Sequence, residues 1–139
     1  MTLVDSNVLL DIFIKTPIWW EWSLTQIEKA ASRGPLLIND VIFAETSIRF
    51  HSIEAFDNAL AKAGITFAPI PRAALFLAGK ASIQYRTVGG TRSGVLPDFF
   101  IGAHAAIENL PVLTRDTRRY RNYFPTVTLI APETDESRS

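Results

Sequence analysis

The chain has 139 residues, 47% of them hydrophobic and 20% charged, with fourteen Lys and Arg balancing fourteen Asp and Glu and no cysteine. That length suits one domain around one core, and a mean hydropathy of +0.14 excludes a disordered chain. Without cysteine there is neither a disulfide nor a thiolate metal site, and two histidines are too few for a histidine-based zinc centre. No apolar run approaches the roughly 20 residues of a membrane span, and the start lacks a basic leader, so a cytoplasmic protein is expected. The zero net charge hides an asymmetry. From Arg72 to Arg121 there are eight basic residues against three acidic ones, a candidate polyanion-facing surface.

Thr2 to Asp5 reads as a short buried strand, followed by a helix to Ile14. After a break at Lys15-Thr16-Pro17, where threonine can cap and proline suits a first turn, Ile18 to Arg33 has helical spacing and stops at Gly34-Pro35. Leu36 to Ile38 is a second strand, with Asn39-Asp40 as turn and cap before a helix from Val41 to Phe50. Ser52 caps another helix, Ile53 to Ala63, and Ile65 to Ile70 is a third strand whose Pro69 suits a sheet edge. A long helix, Arg72 to Tyr85, leads into a glycine-rich loop from Thr87 to Pro97, of a length that is often functional. Asp98 to Asn109 is helical, Val112 to Thr114 a fourth strand, Arg115 to Tyr123 a short helix and Val127 to Ile130 a fifth strand. Short apolar strands alternating with helices indicate a parallel sheet covered on both faces. In such sheets ligands sit beyond the carboxyl ends of the strands.

The acids fall at informative places along this pattern. Asp5 ends the first strand and Asp116 follows the fourth by two residues, on one predicted edge. Within Val41 to Phe50, the residues Val41, Ala44, Glu45 and Ile48 share a helical face, which puts Glu45 on an apolar stripe. An unpaired carboxylate there would cost several kcal/mol, so it needs a partner such as a cation. Asp98 is the first residue of an almost wholly apolar helix, and either caps it or faces the same edge. Asp5 has the same two readings. Together Asp5, Glu45, Asp98 and Asp116 form an all-oxygen constellation of the kind that holds Mg²⁺ or Mn²⁺. Such a centre activates water and neutralises a transferring phosphoryl group, which beside a basic flank suggests phosphodiester hydrolysis.

The stretches VDSNVLLD, FAETSIRF around Glu45, LPDFFIGAHA around Asp98 and LTRD ending at Asp116 resemble the PIN-domain ribonucleases, and among them the VapC-type toxins of toxin–antitoxin pairs. The resemblance runs through the closing strand VTLIAP. It implies a three-layer α/β/α sandwich with a parallel sheet of about five strands in a single PIN-like domain over residues 1–132, before a polar tail at 133–139. It also implies a Mg²⁺- or Mn²⁺-dependent endoribonuclease that inhibits translation. The family's acidic quartet maps onto Asp5, Glu45, Asp98 and Asp116, with Asp5 and Asp98 holding the metal most directly. Asn7 matches the polar residue after the first aspartate, and Thr114 the hydroxyl residue before the last. Where some members carry a further aspartate, this chain has Arg118-Arg119-Tyr120. By position, Arg86, Arg92 and Arg118 are candidates for RNA phosphates. The partners implied are a small antitoxin, for which Trp19, Trp20 and Trp22 offer an aromatic surface, and a second copy of the chain.

Other residues rank lower. Asp11 suits a surface or interhelical role, and His104, six residues past Asp98, a packed position. A phospho-acceptor domain would need a lysine after a late strand, and none follows Lys80; a haloacid-type phosphatase would need an aspartate where Asn7 stands. A PIN-like nuclease in RNA processing without an antitoxin, or a non-catalytic PIN-like binding module, are the alternatives.

Overall fold

A computed structural model describes residues 1–90 and 94–132. Arg92 and the tail at 133–139 lie outside the described residues. In chain order the elements are β1 (Thr2–Val4), α1 (Ser6–Ile14), α2 (Trp20–Arg33), β2 (Leu36–Ile38), α3 (Asp40–Ser47), α4 (Ile53–Lys62), β3 (Ile65–Phe67), α5 (Arg72–Thr87), α6 (Pro97–Glu108), β4 (Val112–Leu113), α7 (Arg118–Tyr123) and β5 (Leu129–Ile130). All pairings are parallel, in the order β3-β2-β1-β4-β5, with Leu3 opposite both Leu37 and Val112. The strands β1 and β2 are buried at every position, as sheets covered on both faces require. The result is the expected three-layer α/β/α sandwich.

The chain winds outward from β1 to β2 and β3, then returns to lay β4 and β5 on the other side. The direction therefore reverses between β1 and β4, and the crevice beyond their carboxyl ends is where such folds place ligands. Two cores hold this arrangement. The main one joins the sheet to Val8, Leu9, Ile42, Phe56, Ile101 and Tyr120. The second lies where Ala74, Ala78 and Ala81 of α5, one helical face of small residues, let α6 approach with Phe99 and Ala103, closed off by Phe124.

Several boundaries depart from the sequence reading. The third strand ends at Phe67, leaving Pro69 beyond it, although β3 does sit on the edge. The helix after Pro17 begins at Trp20, and Thr16 contributes its carbonyl to the Trp20 N–H rather than a side-chain cap. Residues 115–117 form no helix, because Arg115 is drawn to α1, and α7 starts only at Arg118. The long helix α5 runs on to Thr87, two residues past its expected end at Tyr85. The largest correction concerns α3. Its inward residues are Ile42 and Thr46, whereas Ala44 is exposed and Ile48 is 78% exposed, so no apolar stripe carries Glu45 inward. Asn39 caps the helix as expected, its side chain accepting from the Val41 and Ile42 amides, but the face turned to the core is the one carrying Ile42 and Thr46.

Candidate active site at the carboxyl edge of the sheet

Asp5 takes the cap position that the sequence allowed. It is the N-cap of α1, with Oδ1 accepting the Ser6 amide at 2.7 Å, and its Oδ2 faces the crevice. There Oδ2 accepts the Tyr120 hydroxyl at 2.7 Å and the Thr114 hydroxyl at 2.8 Å. The side-by-side placement follows from the sheet, for the Asp5 amide donates to the Leu113 carbonyl at 2.9 Å. Asn7 locks the same junction: its Nδ2 donates to Thr114 Oγ1 at 3.3 Å and its Oδ1 accepts the Arg115 amide at 3.2 Å.

Glu45 reaches the site from α3 by a route the helical pattern did not reveal. Its Oε1 accepts the Ser6 hydroxyl at 2.6 Å, which places it beside the start of α1. Asp98 is not a cap. Leu96 holds the N-cap position, Pro97 opens α6, and Asp98 in the first turn accepts Arg119 Nη1 on Oδ2 at 3.2 Å. Asp116 stands apart. It is exposed, its Oδ1 accepts the Arg118 amide at 3.3 Å, and its own amide donates to Thr114 Oγ1 at 3.1 Å.

The electrostatics single out Asp5. Burial, with the side chain 4% exposed, pushes its pKa up from 3.8 to about 6, and the field of Asp98 adds to the rise. The Tyr120 and Thr114 hydroxyls and the Ser6 amide pull the other way by stabilising the carboxylate. Tyr120 is raised well above its ordinary value, first by burial and then by the charges of Asp5, Asp98 and Glu45. The fields of three carboxylates thus meet at one hydroxyl. On Arg119, desolvation works against the charge but is outweighed by Asp98 and Tyr85, so its pKa rises.

The donor chemistry fits a hard divalent cation: every candidate atom is oxygen, and Asp5, buried with an elevated pKa in the field of Asp98, is bonded to neutral donors and to no basic side chain. The acids do not close into a finished cage, for among the described residues no group of three or more such side chains is gathered closely enough to hold a metal ion.

Ser6, Arg119 and Tyr120 went unremarked in the sequence as parts of this site. Tyr120 carried the one usable signal, because a tyrosine on the inward face of a short helix needs a partner for its hydroxyl. Asp11 is interhelical, as expected, but also 1% exposed: it accepts Arg115 Nε at 2.7 Å and Nη2 at 2.9 Å, and the Ser23 hydroxyl at 2.6 Å. His104 is packed, 2% exposed, with Nδ1 paired to Asn39 Nδ2 at 3.1 Å; burial lowers its pKa despite the opposing charges of Glu108 and Asp40. All three tryptophans are half-buried. Trp19 meets Trp22 edge-on at 5.9 Å and supports the Arg115 guanidinium at 5.1 Å, while Trp20 lies under Lys15. Arg86 and Arg118 are exposed.

The PIN domain family matches residues 2–125. No curated protein matches the chain in sequence. Among solved structures, VapBC2 of Rickettsia felis bound to a promoter DNA fragment is similar over 95% of this chain and 98% of its own, at 16% identity and a TM-score of 0.71. FitAcB of Neisseria gonorrhoeae covers 94% and 96%, at 18% identity and a TM-score of 0.65. A toxin–antitoxin complex of Klebsiella pneumoniae covers 96% and 98%, at 20% identity and a TM-score of 0.61. At these identities the likeness is one of fold. The family match spans most of the chain, from the first strand past the last helix, and this protein belongs to the PIN domain family.

Proposed function

We propose that the protein is a Mg²⁺- or Mn²⁺-dependent endoribonuclease, acting in the cytoplasm as the VapC-type toxin of a toxin–antitoxin pair and inhibiting translation. The observation that carries the nuclease reading is Asp5: a buried carboxylate at the β1–β4 crevice, its pKa about 6, with Asp98 close enough to raise it. A divalent cation supplies the charge this cluster lacks and polarises water and phosphate. Asp5, Asp98 and Glu45 are its proposed ligands, and Asp116, from the edge of the crevice, a ligand or a guide for the attacking water. Tyr120 and Thr114 fix the Asp5 carboxylate, and Asn7 fixes Thr114. Exposed Arg86 and Arg118, together with Arg92, are the proposed contacts for RNA phosphates.

Membership of the PIN family, and similar structures that are toxin–antitoxin complexes, support the partner. Ile18, 83% exposed beside Trp19, Trp20 and Trp22, extends an apolar surface on which an antitoxin segment would lie. The proposed homodimer is supported by the outer face of α5, where Phe76 is 68% and Ile83 52% exposed. Among the described residues no helix is long and apolar enough to cross a membrane. The test is direct. Purified protein should cut single-stranded RNA with Mg²⁺ or Mn²⁺, stop with EDTA, and stop as folded Asp98→Asn; full activity of that variant would sink the assignment.

A further inference from the structure

The acidic crevice already contains a cation. Arg119 of α7 reaches across to α6, where its Nη1 lies 3.2 Å from Asp98 Oδ2. Its guanidinium carbon sits 5.8 Å from the centre of the Tyr85 ring, which forms a shelf on the far side. That shelf is fixed by two neighbouring helices, since Tyr85 of α5 packs edge-on against Phe99 of α6 at 5.7 Å and against Tyr123 of α7 at 6.2 Å. Arg119 is thus held between a carboxylate and an aromatic face, an arrangement that suits a planar guanidinium better than a lysine. Its side chain is 38% exposed and Asp98 29%, so the pair opens to solvent and is not sealed in the core.

We propose that Arg119 is a resident counter-ion of Asp98, and that a divalent metal ion must displace it to bind the crevice. This rests on the metal-centre reading above. A guanidinium on Asp98 Oδ2 competes with a metal cation for that oxygen. The positive charge itself also opposes a second cation nearby. Metal loading then requires the Arg119 side chain to swing off Asp98, with Tyr85 keeping it at the rim. Arg119 is a positioning residue in this account, setting the metal concentration at which the site fills.

The experiment is Mn²⁺ titration by calorimetry of the wild type, Arg119→Gln, Arg119→Lys and Arg121→Gln, the last removing an exposed charge from the same helix. Because a half-exposed ion pair must be broken, Arg119→Gln should bind Mn²⁺ about fivefold more tightly. Arg119→Lys should fall between it and the wild type, and Arg121→Gln should match the wild type. In the Asp98→Asn background the gain from Arg119→Gln should vanish, since the competition runs through that carboxylate. Equal or weaker binding by Arg119→Gln, or an equal gain in Arg121→Gln, overturns the counter-ion role and leaves the metal site standing. Failure of every form, wild type included, to bind Mn²⁺ overturns both.

Discussion

Asp5 combines three demands in one side chain: it caps α1, ends the central strand and lies buried against other acids. Its pKa of about 6, against 3.8 in an unperturbed chain, means the folded state holds that proton more tightly than the unfolded state does. Stability must therefore fall as pH rises from about 4 to about 6, and the loss persists above that window. At about 1.4 kcal/mol per tenfold change in proton affinity, the burden near neutrality is roughly 3 kcal/mol. Asp5→Asn should consequently raise the neutral-pH stability of metal-free protein and flatten this part of its pH profile, as urea midpoints across pH 4 to 7 would reveal. Tyr120→Phe should do the opposite to the carboxyl, removing the donor at 2.7 Å and raising the pKa further, so that its stability falls over a higher pH window. The ends of the strands and helices that carry Asp5 and Asp98 were legible from chain position. The sequence could not expose Ser6–Glu45 or Tyr120–Asp5, which join residues 39 and 115 positions apart and depend on how helices land on the sheet.

At the scale of elements, the segment between β4 and α7 is latched to α1 and α2 by Asp11, Arg115, Ser23 and Trp19. The two ends of that latch are not equivalent. Asp11 is 1% exposed, whereas the Arg115 side chain is 25% exposed and can turn to water. Arg115→Ala, which strands a buried carboxylate, should cost about 3 kcal/mol. Asp11→Ala should cost only about 1–2 kcal/mol by comparison, and chemical denaturation of the two variants would test the order. Gly102 makes a similar point about α6. A β-carbon there would run into the Phe124 ring, which is 4% exposed, so Gly102→Ala should cost about 1–3 kcal/mol through overpacking. Glu45 shows why a helical wheel alone misleads. The Val41–Ala44–Glu45–Ile48 face is apolar in sequence, yet α3 turns Ile42 and Thr46 inward, and Glu45 enters the site from the flank. The reason given for singling out Glu45 is one the fold does not uphold.

Over the whole molecule, the strand and helix order was legible because every strand is a short apolar run bounded by proline, glycine or a capping residue. What was not legible is the charge balance of the finished crevice. Glu45 meets the start of α1 beside Asp5, the charge of Asp98 reaches the Asp5 carboxyl, and one arginine is set against Asp98, a balance that arises only once α6 and α7 pack together. In the proposed function this crevice is a metal centre, and the burial of Asp5 is costly to the fold until a cation binds. Ligand binding to the native state raises the melting temperature in proportion to affinity and concentration. The decisive measurement is thermal unfolding at pH 7 with increasing Mn²⁺, for the wild type and Asp5→Asn side by side. The wild type should start lower and rise steadily with Mn²⁺, while Asp5→Asn should start higher and stay flat. A wild type indifferent to Mn²⁺, or an Asp5→Asn variant that rises equally, would contradict the assignment of this crevice.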